Sequence, residues 1–178
     1  MRIRINLISA AILFFLTMGQ QGFAAQSKDD CSFPSGLQEE ITKRFPETKL
    51  LRLTDLSAHD RNLFQRDHGN RCPGFAEVDF YGDTKPTFAL VLISGETPKK
   101  TAELIIANQS AGVWTFRSLE KTDGTPVIWS QGPGNYADIY GRKTIRSANP
   151  VIVFCGYESW AILYAWTGET VDKVWLSD

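Results

Sequence analysis

The side chains able to do acid–base or nucleophilic chemistry are few and scattered. The two histidines, His59 and His68, lie in one polar stretch, and neither belongs to a His-x-x-x-His pair; no Cys-x-x-Cys occurs either. A zinc site would have to be assembled from distant segments. A surface position and a helix-end position account for both histidines without catalysis. A hydrolase would draw its general acid and base from Asp79, Asp138 or Glu158 with one of these histidines. Glu158 is the most distinctive acid, set between Tyr157 and Ser159 at a strand turn near Trp160. There is no Gly-x-Ser-x-Gly elbow and no Ser-x-x-Lys. Gly132-Pro133-Gly134 is not a phosphate loop, because no Lys-Ser/Thr follows and Pro133 lacks an amide donor. No catalytic set is recognisable, so the expected partner is something bound and not something transformed.

The compartment is read from the first residues. Arg2 and Arg4 precede an apolar run from Leu7 to Met18, and Phe23-Ala24-Ala25 supplies small residues for a signal peptidase. This predicts a secretory leader over residues 1–25, too short and too weakly flanked to span a membrane. The remaining residues, 26–178, are expected to form one domain, periplasmic or secreted. The chain has 19 Lys and Arg against 20 Asp and Glu; less the leader's two arginines that is 17 against 20, a formal charge of −3. No basic stripe is visible, which argues against nucleic acid as a partner.

Cys31, Cys72 and Cys155 remain after the leader. In an oxidising compartment one bridge and one free thiol are expected. Cys31 and Cys72 sit in polar, turn-rich surroundings, whereas Cys155 ends the apolar run Val151-Ile152-Val153-Phe154 and reads as a small buried hydrophobe. The expected bridge is Cys31–Cys72, tying the N-terminal segment to the centre of the chain.

That centre is the stretch from Cys72 to Ile93. Ala76, Val78 and Phe80 alternate with Phe75, Glu77, Asp79 and Tyr81, the period of a half-buried strand. Phe88 to Ile93 is apolar on both faces, as in a strand in the middle of a sheet. Gly82-Asp83-Thr84-Lys85-Pro86 is read as a tight turn between them. Before the hairpin, Leu37, Ile41 and Phe45 predict a helix from Ser35 to about Arg44, capped by Ser35, and Ser57 opens a second helix closed by Gly69. Lys49 to Leu53 is read as a strand. After the hairpin, Ala102–Ala107, Val113–Leu119, Pro126–Trp129, Val151–Cys155, Trp160–Trp166 and Val171–Leu176 read as further strands joined by short turns. The predicted fold class is α+β: two N-terminal helices packed on one antiparallel meander sheet of about seven or eight strands.

Asp79-Phe80-Tyr81-Gly82-Asp83, followed by Lys85 and an apolar strand, resembles the strand–turn–strand element of FG-GAP and VCBS-type repeats. The wider pattern is similar to a group of small exported bacterial proteins of unassigned function, through Cys72-Pro73-Gly74, Tyr164-Ala165-Trp166 and Trp175-Leu176-Ser177-Asp178. The FG-GAP resemblance implies calcium at Asp79 and Asp83, although Tyr81 and Thr87 stand where further oxygen ligands are usual, and calcium takes six to eight oxygens.

Residues 130–142 read as one long irregular stretch, and long loops in compact domains are often functional. With the aromatic residues around it, this stretch gives a candidate binding surface of Trp129, Asn135, Tyr136, Asp138, Tyr140, Arg142 and Glu158. The expected function is an exported, non-catalytic binding or inhibitory module acting on a protein or cell-envelope ligand. The alternatives are an exported hydrolase using acid and histidine chemistry and a structural calcium module. No cofactor is expected, calcium entering only with the second of these alternatives.

Overall fold

The computed structural model of the chain describes residues 29–95 and 99–177. The leader and its cleavage point lie outside the described residues. Among the described residues no helix is long and apolar enough to cross a membrane.

Helix α1 (Ser35–Arg44) buries Leu37 and Ile41 and ends where the Phe45 N–H donates to the Ile41 carbonyl. Its cap is Pro34, one residue earlier than Ser35, with the Pro34 carbonyl accepting from the amides of Leu37 and Gln38. Proline sets its own extended-to-helical corner, so the serine falls inside the first turn and its hydroxyl caps nothing. Helix α2 (Ala58–His68) follows the expected chemistry: Ser57 Oγ accepts from the Asp60 amide at 3.0 Å, and Gly69 ends it at φ +66°. Between the helices only β1 (Lys49–Leu50) is extended. The expected strand stops there because Asp55 folds a 3-10 turn over Leu53–Asp55, its carboxylate accepting from the Arg52 amide and from Lys49 Nζ.

The rest is antiparallel sheet, but not one meander. β2 (Phe75–Val78), β3 (Thr87–Ser94), β4 (Thr101–Ser110) and β5 (Val113–Asp123) join β1 in a first sheet, with β1 and β2 side by side along the same edge of β3. The second sheet has the order β11-β10-β9-β6, from β6 (Val127–Gln131), β9 (Val151–Gly156), β10 (Trp160–Trp166) and β11 (Val171–Ser177). β7 (Gly134–Ala137) and β8 (Thr144–Ser147) form a separate hairpin. Among the described residues eleven strands therefore lie in three sheets, where one sheet of seven or eight was expected. The reason is burial. β9 and β10 are apolar on both faces, and a single open sheet would leave one of those faces in water. At Gly124 (φ +89°) the chain leaves the first sheet and starts the second, folding one over the other.

Three cores result. Between the sheets, Ala89, Val91 and Ile93 of β3 meet Ile152, Phe154, Ile162 and Tyr164, with Phe64 of α2 closing one end. On the outer face of the first sheet, Leu90 and Leu92 pack under Leu37 and Ile41 of α1. On the outer face of the second, Val151, Val153, Leu163 and Ala165 lie beneath Ile145 and Tyr136 of the β7–β8 hairpin. The aromatic face of β10 is thus core, but it faces a sheet and not the helices. β5 serves two cores: Trp114 and Phe116 face α1, and a bulge opposite Leu104 and Ile105 turns Leu119 toward the inter-sheet core.

The β2–β3 connection is longer than the expected tight turn. β2 ends at Val78, and Phe80 is drawn fully into the core. Gly82 takes φ +69°, and its α-carbon lies so close to Asn149 that a Cβ there would overlap that side chain. At Gly74 the chain passes just as closely over Leu51, with a built Cβ only 2.8 Å from Leu51 Cβ and 3.0 Å from its nitrogen. Only glycine allows that crossing. The bridge Cys31–Cys72 is formed, and Cys155 is free and buried, with burial pushing its thiol up to about 11.

On the far side of the sandwich from β2 and β6, the sheets are clamped by Glu120 of β5. Its Oε2 accepts from Tyr164 Oη at 2.8 Å and from Lys173 Nζ at 2.6 Å. Burial raises the glutamate pKa, but the two donors outweigh it and hold the group below its ordinary value. A depressed carboxylate contributes stability above its unfolded pKa and loses it as pH falls through the folded one. Glu120→Gln is therefore expected to lower stability by about 1 kcal/mol at neutral pH, the figure being kept low by partial exposure. In urea titrations the gap between wild type and variant should close on acidification below the glutamate range. A gap that stays constant across that range would show that the clamp carries no linkage.

Candidate functional site

The two sheets touch along one side through their edge strands. There the Ile128 N–H of β6 donates to the Pro73 carbonyl at 2.8 Å, just before β2 begins. Next to that contact a groove of about 480 Å³ opens between Phe75–Glu77 of β2 and Ile128–Ser130 of β6. This is within the range of small-ligand and peptide side-chain sites. Its position follows from Cys72-Pro73-Gly74: the cysteine is bridged, the proline supplies a carbonyl and no donor, and the glycine permits the pass over Leu51.

One wall comes from α2. The His68 ring lies between Phe64 at 4.9 Å and Trp129 at 4.7 Å, centroid to centroid. Burial lowers its pKa, Asp67 opposes this and Arg71 reinforces it, so the net direction is down and the imidazole is neutral at neutral pH. The wall is an uncharged aromatic stack. Arg71 and Glu77 stand exposed on the rim, and Asp30 lies at one end with its Oδ1 accepting from Ser32 Oγ. No carboxylate of the described residues hydrogen-bonds His68, so the site lacks the oriented acid–imidazole pair of a general base.

The expected surface residues fall in three places. Trp129 lines the groove. Asn135, Tyr136, Asp138, Tyr140 and Arg142 belong to the β7–β8 hairpin, so the stretch read as irregular holds the strand β7 and the loop that leads to β8. The alternation of Asn135, Tyr136 and Ala137, flanked by glycines and Pro133, is what pairs it. Tyr136 packs down with Ile145, and its hydroxyl donates to the Gly132 carbonyl. Asp138 is structural: Oδ1 accepts from the Tyr140 amide at 2.8 Å and Oδ2 from the Trp175 amide at 3.3 Å, while the Ile139 N–H donates to the Trp175 carbonyl. Tyr140 is half exposed, with the Arg142 guanidinium 5.3 Å from its ring centre. Glu158, at φ +57°, meets His59 at 3.0 Å, but both are exposed on the surface and not in a cleft, where such pairs contribute little.

Asp79 and Asp83 are held in different ways. Asp83 Oδ1 accepts from the Lys85 amide in its own turn. Asp79 Oδ1 is buried without a hydrogen-bond partner among the described residues. Nor do three or more His, Cys, Asp or Glu side chains gather as a metal site among those residues. Sequence reading missed Phe75, Arg71, Glu77 and Ser130 as site residues, and weighed His68 only as an acid–base partner. The only available signal was Cys72-Pro73-Gly74, which marks a sharp redirection but does not say what it opens onto. Comparison with family models, with curated proteins and with solved structures finds no match for this chain.

Proposed function

We propose that this chain is an exported, non-catalytic binding or inhibitory module, periplasmic or secreted, and that the groove between β2 and β6 is where a protein or cell-envelope ligand docks. The supporting observation is the groove's make-up: an aromatic floor of Trp129, neutral His68 and Phe64 under a rim of opposite charges, Arg71 and Glu77. Aromatic area with a few charged groups is the composition of binding hot spots. The disulfide suits an oxidising compartment.

The test uses the immobilised chain and envelope extracts of its own cells. Arg71→Glu changes only an exposed charge and is expected to abolish retention of a component that the wild type holds. Retention unchanged in Arg71→Glu would remove the groove from the proposal. Turnover of any ester, peptide or glycoside substrate, abolished by His68→Gln or Glu77→Gln, would overturn the non-catalytic reading.

A further inference from the structure

We infer that the groove takes an extended polypeptide segment, which adds as a strand to the free edge of β6. This rests on the binding-module reading and names its partner class. The ladder geometry carries it. In an antiparallel pair, successive residues turn their N–H and C=O alternately toward and away from the neighbouring strand. The Ile128 N–H goes to Pro73, so Val127, Trp129 and Gln131 face β9, and Ile128 and Ser130 face outward. The Ser130 N–H and C=O and the Ile128 C=O therefore point to the groove side, and no backbone hydrogen bond among the described residues reaches them. Across the groove the Val91 N–H donates to the Gly74 carbonyl, which sets Gly74, Ala76 and Val78 toward β3 and Glu77 outward.

Two other sheet edges are obstructed in part. On β11 the outward groups of Trp175 are taken by Asp138 and Ile139. On β5 a bulge and the charges of Arg117 and Lys121 break the edge. At β6 the outward groups of Ile128 and Ser130 lie beside the aromatic lining of the groove. A row of main-chain donors and acceptors is complemented by another such row, and side-chain pockets beside it choose the sequence. Here that pocket is Trp129, His68 and Phe64, which selects an apolar or aromatic side chain.

The probe is a phage-displayed library of random nonapeptides, selected on the whole folded chain, with the enriched peptide then synthesised. Ser130→Ala keeps the backbone donor and is expected to bind within about twofold of wild type, whereas Ser130→Pro removes it and should bind at least about tenfold more weakly. Proline is tolerated on an edge strand where its nitrogen faces away from the ladder, and thermal unfolding checks the variant's fold. Should Ser130→Pro not fold, N-methylation of successive peptide amides replaces it: losses at alternate positions are expected. Equal binding by folded Ser130→Pro, or losses with no alternation, overturns the strand mode. Failure to enrich any peptide does the same. If an envelope component is nonetheless held in an Arg71-dependent way, the binding-module reading stands and only the strand mode is lost.

Discussion

Replacing Phe154 with alanine is expected to cost the fold about 3–5 kcal/mol, a large fraction of the stability of a domain this size. Phe154 is fully buried at the middle of β9. It pairs with Ile128 on one side and Ile162 on the other, and the Trp160 ring meets it edge-on at 5.1 Å. Its neighbours are held by two strand ladders and cannot collapse into the space left, so the cavity term adds to the lost transfer energy. Urea unfolding of the purified chain measures it, with Val113→Ala as a control at an exposed strand end expected within about 0.5 kcal/mol of wild type. A loss below about 1 kcal/mol for Phe154→Ala would mean the sheets do not pack face to face at this point.

Removing the Cys31–Cys72 bridge is the second large effect. The bridge spans 41 residues of sequence, for which the chain-entropy model gives about 4 kcal/mol, within a measured range of about 2–5. Native contacts add to this. The bridge holds Asp29 where its carboxylate accepts the Leu53 amide at 2.9 Å, Asp30 where its amide reaches the Asn70 carbonyl, and Phe33 where it stacks on Phe75 at 5.5 Å. The double variant Cys31→Ala, Cys72→Ala should unfold at a clearly lower urea concentration than the oxidised chain, and wild type in reductant should match it. Coincident midpoints for oxidised and reduced protein would falsify this account of the bridge. Both results bear on function, because Cys72 and Asp30 also line the groove.

The physical terms that are local in sequence were legible. The second helix followed from Ser57 and Gly69, the apolar stripe of the first from Leu37 and Ile41, and the buried β3 from an unbroken apolar run. The Cys31–Cys72 pairing followed from which cysteines had polar neighbours. Sheet assignment was not legible. Alternation tells which residues share a face, but not whether β5 or β9 lies beside β6, and that is decided by which apolar faces need covering. The same gap hid the site. Trp129 could be picked out as an aromatic beside a loop, yet its ring partner His68 and the groove it shares with Phe75 depend on two sheets meeting at Pro73. The 130–142 stretch was misread because four residues of alternation between glycines and a proline look like loop until a partner strand, Thr144–Ser147, is placed opposite.

Asp138 has a consequence beyond its own turn. By occupying the outward amide of Trp175 it ends the second sheet with a carboxylate, a group that accepts but cannot pass on a strand's hydrogen-bond pattern. A further strand laid along β11 would find neither a donor nor an acceptor at Trp175, and its ladder would be interrupted there.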